Sequence, residues 1–130
     1  MSECVELHDS TVRAILRDGT DLIVQFMPAY VHRSEGLPGR DTGSGWSANV
    51  NIRFGNGTAQ PETVILPAAI TDGTLSLGDQ TLENEIPLPC RVDEHARMIL
   101  ILASGEQVEF TGSSFDAAVS SAYEYIEQFR

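Results

Sequence analysis

The 130-residue chain has no lysine. That absence removes Schiff-base catalysis, lysine general bases and the phosphate-loop lysine together. Cations are scarce in general: eight arginines stand against nineteen Asp and Glu, a net charge of −11. Because nucleic-acid affinity comes largely from cations that displace counterions from phosphates, we expect no nucleic acid and no anionic membrane as partner. A basic protein partner is electrostatically easier. Only two cysteines are present, Cys4 and Cys90, with no Cys-x-x-Cys and no His at ligand spacing. Neither a zinc site nor a disulfide framework is expected, and both read as free packing thiols. No stretch approaches the ~18 apolar residues of a membrane helix, and Met1 to Glu6 have neither the basic nor the apolar region of a secretion signal. The expected location is cytoplasmic.

The composition that remains is globular, with 42% apolar and 21% charged residues, and the length suits one domain. Residues 11–16 and 21–27 are β-rich runs flanking Arg17-Asp18-Gly19-Thr20, and Asp-Gly between such runs predicts a hairpin. From Trp46 to Phe54 apolar and polar residues alternate, which predicts a half-buried strand carrying Trp46, Ala48, Val50, Ile52 and Phe54 inward. Further short strands are expected near 63–66, 74–77 and 85–88, with Pro61, Pro67, Pro87 and Pro89 marking edges. Residues 97–102 and 106–111 around Ala103-Ser104-Gly105 form a second expected hairpin. The segment 113–130 is ambiguous. Ser113 and Asp116 resemble a capping box, and Phe115, Val119, Ala122, Tyr123 and Ile126 recur at helical spacing, which favours an amphipathic helix. Period-two alternation at Phe115, Ala117 and Val119 leaves open a strand to about 119 followed by a helix over 122–129. Between Ser34 and Gly45 lie four glycines and a proline, a loop expected to be mobile and of the length that often carries function.

Candidate chemistry is sparse. Asp41-Thr42-Gly43-Ser44 matches the short aspartic-protease signature, but Gly39-Arg40 precedes it where an apolar strand is required, so a glycine-rich loop is the simpler reading. His8-Asp9-Ser10 sets three catalysis-capable residues side by side. On an extended chain adjacent side chains point to opposite faces, so these are read as turn-forming, with Asp9 and Ser10 bonding backbone N–H groups and His8 and Asp9 a possible polar site. Tyr30, His32 and Arg33 precede the long loop and Trp46 follows it, which makes these four the candidate binding surface. No catalytic residue, metal site or cofactor is assigned.

Glu6-Leu7-His8-Asp9-Ser10 running into a hairpin with Asp18-Gly19 at its turn, together with the ending Glu124-Tyr125-Ile126-Glu127-Gln128-Phe129, resembles a loose group of small uncharacterised bacterial domains. Some of these look like immunity proteins of toxin systems. The resemblance implies a mostly antiparallel β-domain ending in a short helix, and it carries no catalytic residues. The expectation is a mainly β domain, an antiparallel sheet of sandwich or barrel-like form with roughly seven to nine strands and a C-terminal helix. Its expected role is a non-enzymatic binding or interaction module. The alternatives are a small hydrolase-like enzyme using His8 and Asp9 or Asp41, and an immunity-type inhibitor of a basic toxin.

Overall fold

A computed structural model describes residues 2–35 and 42–128. In chain order the strands are β1 (Ser2–Glu6), β2 (Thr11–Asp18), β3 (Asp21–Ser34), β4 (Gly43–Gly55), β5 (Thr58–Gln60), β6 (Ala68–Leu77), β7 (Gln80–Glu83), β8 (Glu85–Leu88), β9 (Cys90–Val92), β10 (Ala96–Leu102), β11 (Gln107–Gly112), β12 (Ser114–Val119) and β13 (Glu124–Gln128). One 3-10 turn, Leu7–Asp9, links β1 to β2. Every pairing among the described strands is antiparallel. The main path runs β5-β11-β10-β6-β2-β3-β4-β12-β9, with β1 joined to β3 and β8, β7 to β6, and β13 to β4. β5 and β9, at the two ends of this path, do not pair with each other, so the sheet is open.

Both expected hairpins form. Asp18 pairs with Asp21 across a two-residue turn in which Gly19 takes a φ of +63°, a conformation that suits glycine. β10 and β11 are joined at 103–106, and β10 lies between β6 and β11 as its apolar sequence requires. β3 and β4 form the longest pairing, from Leu22↔Phe54 to Ser34↔Gly43. Their alternate residues Val24, Phe26, Ile52 and Phe54 are fully buried. Phe54 stacks on Phe110 of β11, ring centroids 5.9 Å apart, and meets Phe115 of β12 edge-on at 5.4 Å. These rings join the β4 and β11 parts of the sheet into one core. Losing one of them to alanine costs about 3–5 kcal/mol.

Three expectations need correction. Thirteen strands form where seven to nine were expected, because β5, β7 and β9 are only three or four residues long and leave little alternation to read, while the strand expected near 63–66 does not form. The C-terminal helix is absent: among the described residues 114–119 and 124–128 are both strands. Phe115 and Ala117 are buried at period two where β12 pairs with β4 on one side and β9 on the other, and that burial outweighs the helical pattern. Ser113 caps nothing, donating instead through its amide and its hydroxyl to the Gly55 carbonyl. Finally, β3 continues past the bulge between Phe26 and Ala29 to Ser34, and β4 begins at Gly43, so both ends of the predicted loop are strand. The mobility expected of that loop, and Asp41, fall on residues 36–41 and lie outside the described residues.

Candidate functional site

The extension of β3 sorts the four predicted binding residues onto opposite faces of the sheet. Val31 pairs with Trp46, His32 with Gly45 and Arg33 with Ser44. Successive strand residues alternate, so Arg33 and Trp46 share the face that carries the buried Val31 and Ala48, while Tyr30 and His32 share the other. The sequence had suggested one surface. The structure makes two.

On the inner face, the Arg33 guanidinium lies over Trp46 at 5.1 Å and over Tyr123 at 4.4 Å. Its Nε is 2.6 Å from Glu3 Oε2, and the Tyr123 hydroxyl donates to Glu3 Oε1 at 2.9 Å. Trp46 Nε1 donates to Ser44 Oγ at 2.7 Å, and the ring meets Tyr123 and Tyr125 edge-on, at 6.3 and 5.3 Å. Burial pushes the Tyr123 phenol up, and the hydrogen bond and charge of Glu3 push it further. Arg33 thus already holds a carboxylate and two aromatic rings. What it leaves open is the rim: Trp46 is half-buried and Tyr125 is 57% exposed, beside a cleft of about 290 Å³ lined by Arg33, Ser44, Trp46 and Gln128 among others.

On the outer face Tyr30 reaches diagonally across β4. A Cβ at position 45 would lie 2.0 Å from the Tyr30 hydroxyl, so glycine there lets the phenol pass and donate to Glu127 of β13. Burial raises the Tyr30 phenol above its ordinary value, helped by the charges of Glu127, Glu6 and Asp9. His32 is 5% exposed, with Nδ1 3.4 Å from Glu6 Oε1. Cys4, on the same face, is pushed up to about 12 by burial first and then by Glu85 and Glu6. Four carboxylates, Glu6, Asp9, Glu85 and Glu127, therefore border this face beside His32.

At its end sits the polar pair. The 3-10 turn bends the chain so that His8 Nε2 lies 3.1 Å from Asp9 Oδ2, which the extended backbone assumed for this stretch would not allow. Asp9 therefore faces His8, and the backbone contact expected of it falls to Ser10. The Ser10 hydroxyl donates to the Glu6 carbonyl at 2.8 Å and accepts from the Tyr30 amide at 3.0 Å, and the residue is 1% exposed. With its oxygen so engaged, Ser10 is no nucleophile for His8. Asn84, which the sequence gave no reason to single out, closes the other side: its Oδ1 accepts from the His8 amide at 2.8 Å and its Nδ2 donates to His8 Nδ1. This fixes the ring proton on Nε2, directed at Asp9.

Glu6, His8 and Asp9 bring one donor atom each within 4.8 Å of one another, a spacing that a divalent ion would accept. The tautomer opposes it. Coordination through Nε2 would move the proton to Nδ1, where the Asn84 amide hydrogens point, and turning that amide over would set its NH₂ against the His8 N–H. Comparison with protein-family models, curated proteins and solved structures found no match. No described helix is long and apolar enough to cross a membrane.

The residues missed by sequence reasoning are Glu3, Asn84, Tyr123 and Tyr125. Tyr123 and Tyr125 alternate, a strand signal that the helical reading of the same segment concealed.

Proposed function

We propose that the chain is a non-enzymatic binding module for a protein partner with a basic surface, engaged at the rim formed by Trp46, Tyr123 and Tyr125. One observation carries this reading: a partly exposed aromatic cluster, Tyr125 against Trp46, stands open in a chain of net charge −11 with no lysine. Aromatic anchors of this kind supply most of the energy in protein interfaces, and the field of the whole molecule steers a cationic partner to them. An immunity-type inhibitor of a basic toxin is one form that such a module takes. The hydrolase alternative draws on the His8–Asp9 contact or on Asp41, which lies outside the described residues. At the contact Ser10 is held by the backbone, which leaves it no nucleophile for His8.

The test uses octa-arginine as a basic probe, followed by calorimetry, with single-stranded and duplex DNA titrated in parallel at low salt. Octa-arginine should bind, and Trp46→Ala should weaken it about tenfold or more, while lowering stability by only about 1–2 kcal/mol because the ring is half-buried. A stability loss of about 3–5 kcal/mol would mark Trp46 as core and remove the anchor. Salt-sensitive DNA binding at micromolar affinity would defeat the choice of partner.

A further inference from the structure

We propose that the outer edge of β13 accepts an extended segment of the partner as an added strand, and that this segment alternates basic and apolar side chains. This rests on the basic-partner reading and names how that partner is held. Among the described residues β13 pairs with β4 alone, from Glu124↔Ser47 to Gln128↔Ser44, and all five of its residues are exposed. A strand with one side of its backbone unpaired is a template for another chain. Three other short edges carry proline, which blunts such pairing: Pro61 directly follows β5, Pro87 lies within β8, and Pro89 precedes β9; β7, which has none, exposes no large apolar side chain. β13 has no proline and exposes Tyr125 and Ile126, at 57% and 45%.

Side-chain parity decides the occupant. The register shifts between Tyr125 and Glu127, so Glu124 opposite Ser47 and Glu127 opposite Gly45 lie on the same face. Tyr125, opposite Trp46, lies on the other face. Glu6 and Asp9 extend the carboxylate face around Tyr30. A second copy of this chain would bring Glu124 and Glu127 against the same carboxylates, in a pair of molecules each carrying −11, and like charges across strands are destabilising. A segment with arginine or lysine toward Glu124 and Glu127, and valine or an aromatic residue toward Tyr125 and Trp46, meets both faces with complementary chemistry. Backbone bonds would supply affinity and the alternating side chains specificity.

Trp46 is the only tryptophan and lies next to this edge, so its fluorescence reads the event directly. The full chain is titrated with a capped peptide of about eight alternating Arg and Val residues. Controls are the same peptide with every second backbone nitrogen methylated, made in both registers, and octa-arginine, all at about 50 mM salt to limit screening. The Arg-Val peptide should saturate, and at least one methylated form should bind about tenfold weaker or worse. Reversing the local charges with Glu124→Lys and Glu127→Lys should weaken the parent peptide about tenfold, against less than about threefold for Glu62→Lys with Glu106→Lys, two exposed sites elsewhere. Because Glu127 also bonds Tyr30, Glu124→Lys alone is measured alongside and should move affinity in the same direction. If both methylated forms bind as tightly as the parent while local reversal still weakens binding, strand addition is overturned and the basic partner stands. Equal effects of the local and remote reversals would overturn strand addition by reducing binding to net charge. If none of the peptides saturates, the proposal and the basic-partner reading fall together.

Discussion

Cys4 and Asn84 are the residues whose surroundings make the sharpest demands. The buried Cys4 thiol is raised from 9.0 to about 12, so between those values the unfolded chain has lost a proton that the folded chain keeps. Stability contributed by this group is therefore intact below pH 9 and declines from 9 to 12, at no more than about 1.4 kcal/mol per pH unit for one thiol. Urea unfolding at pH 8 and pH 10.5 should show the loss, and Cys4→Ala should make it shallower. Tyr30 and Tyr123, raised likewise by burial, add to the alkaline decline. Asn84 sits at a φ of +59°, where glycine is at ease, so Asn84→Gly removes the side chain without backbone strain. We expect about 1 kcal/mol of destabilisation, and nitrogen NMR of His8 that shows both neutral tautomers in place of one. A ring that kept its proton on Nε2 in that variant would show that Asn84 does not set it. Cys4 was legible as a free packing thiol, but the setting of His8 was not. The partner of His8 is 76 positions away, and no local pattern marks such a contact.

Among the elements, β12 and β13 teach the most about what a pattern can and cannot say. The period-two signal at Phe115, Ala117 and Val119 was present in the sequence, beside a helical signal that the local pattern favoured. Only the neighbours decide between them: β4 offers an open edge along residues 50–55, and β9 covers the far side. The β2–β3 and β10–β11 hairpins were readable because the turn and both strands are contiguous, whereas β1 and β8 find each other across some eighty residues. The same locality explains the site. Tyr30, His32, Arg33 and Trp46 lie along β3 and β4, but their division between faces depends on β3 continuing beyond residue 27, where the expected strand run ends. The two C-terminal strands should also answer differently to truncation. Phe115→Ala, in the core, should cost about 3–5 kcal/mol, and Tyr125→Ala, exposed on β13, less than about 1 kcal/mol. Chemical denaturation of the two variants checks this, and a Tyr125 loss as large as that of Phe115 would contradict the exposed edge.

At the scale of the whole molecule, the net charge of −11 opposes compaction. Few local pairs offset it, although Arg53 holds Asp18 and Asp21, at 2.9 and 2.8 Å, and lowers the Asp21 carboxyl. Adding salt at neutral pH should therefore raise the thermal midpoint, by screening repulsion more than it weakens these exposed pairs. A midpoint that fell between about 0.05 and 0.5 M sodium chloride would mean that the ion pairs dominate. The registers of β1 and β13 also govern how the molecule bears load. Ser2 lies beside Ser34 and Gln128 beside Ser44, and Arg33 pairs with Ser44, so both points sit on one rim of the sheet, at the same end of the β3–β4 ladder. Tension applied between Ser2 and Gln128 acts across the strands rather than along them. β1 would be peeled from β3 and β8, and β13 from β4, one row of hydrogen bonds after another, never sheared as a whole, so this sheet would open under a weak pull however well its core resists heat.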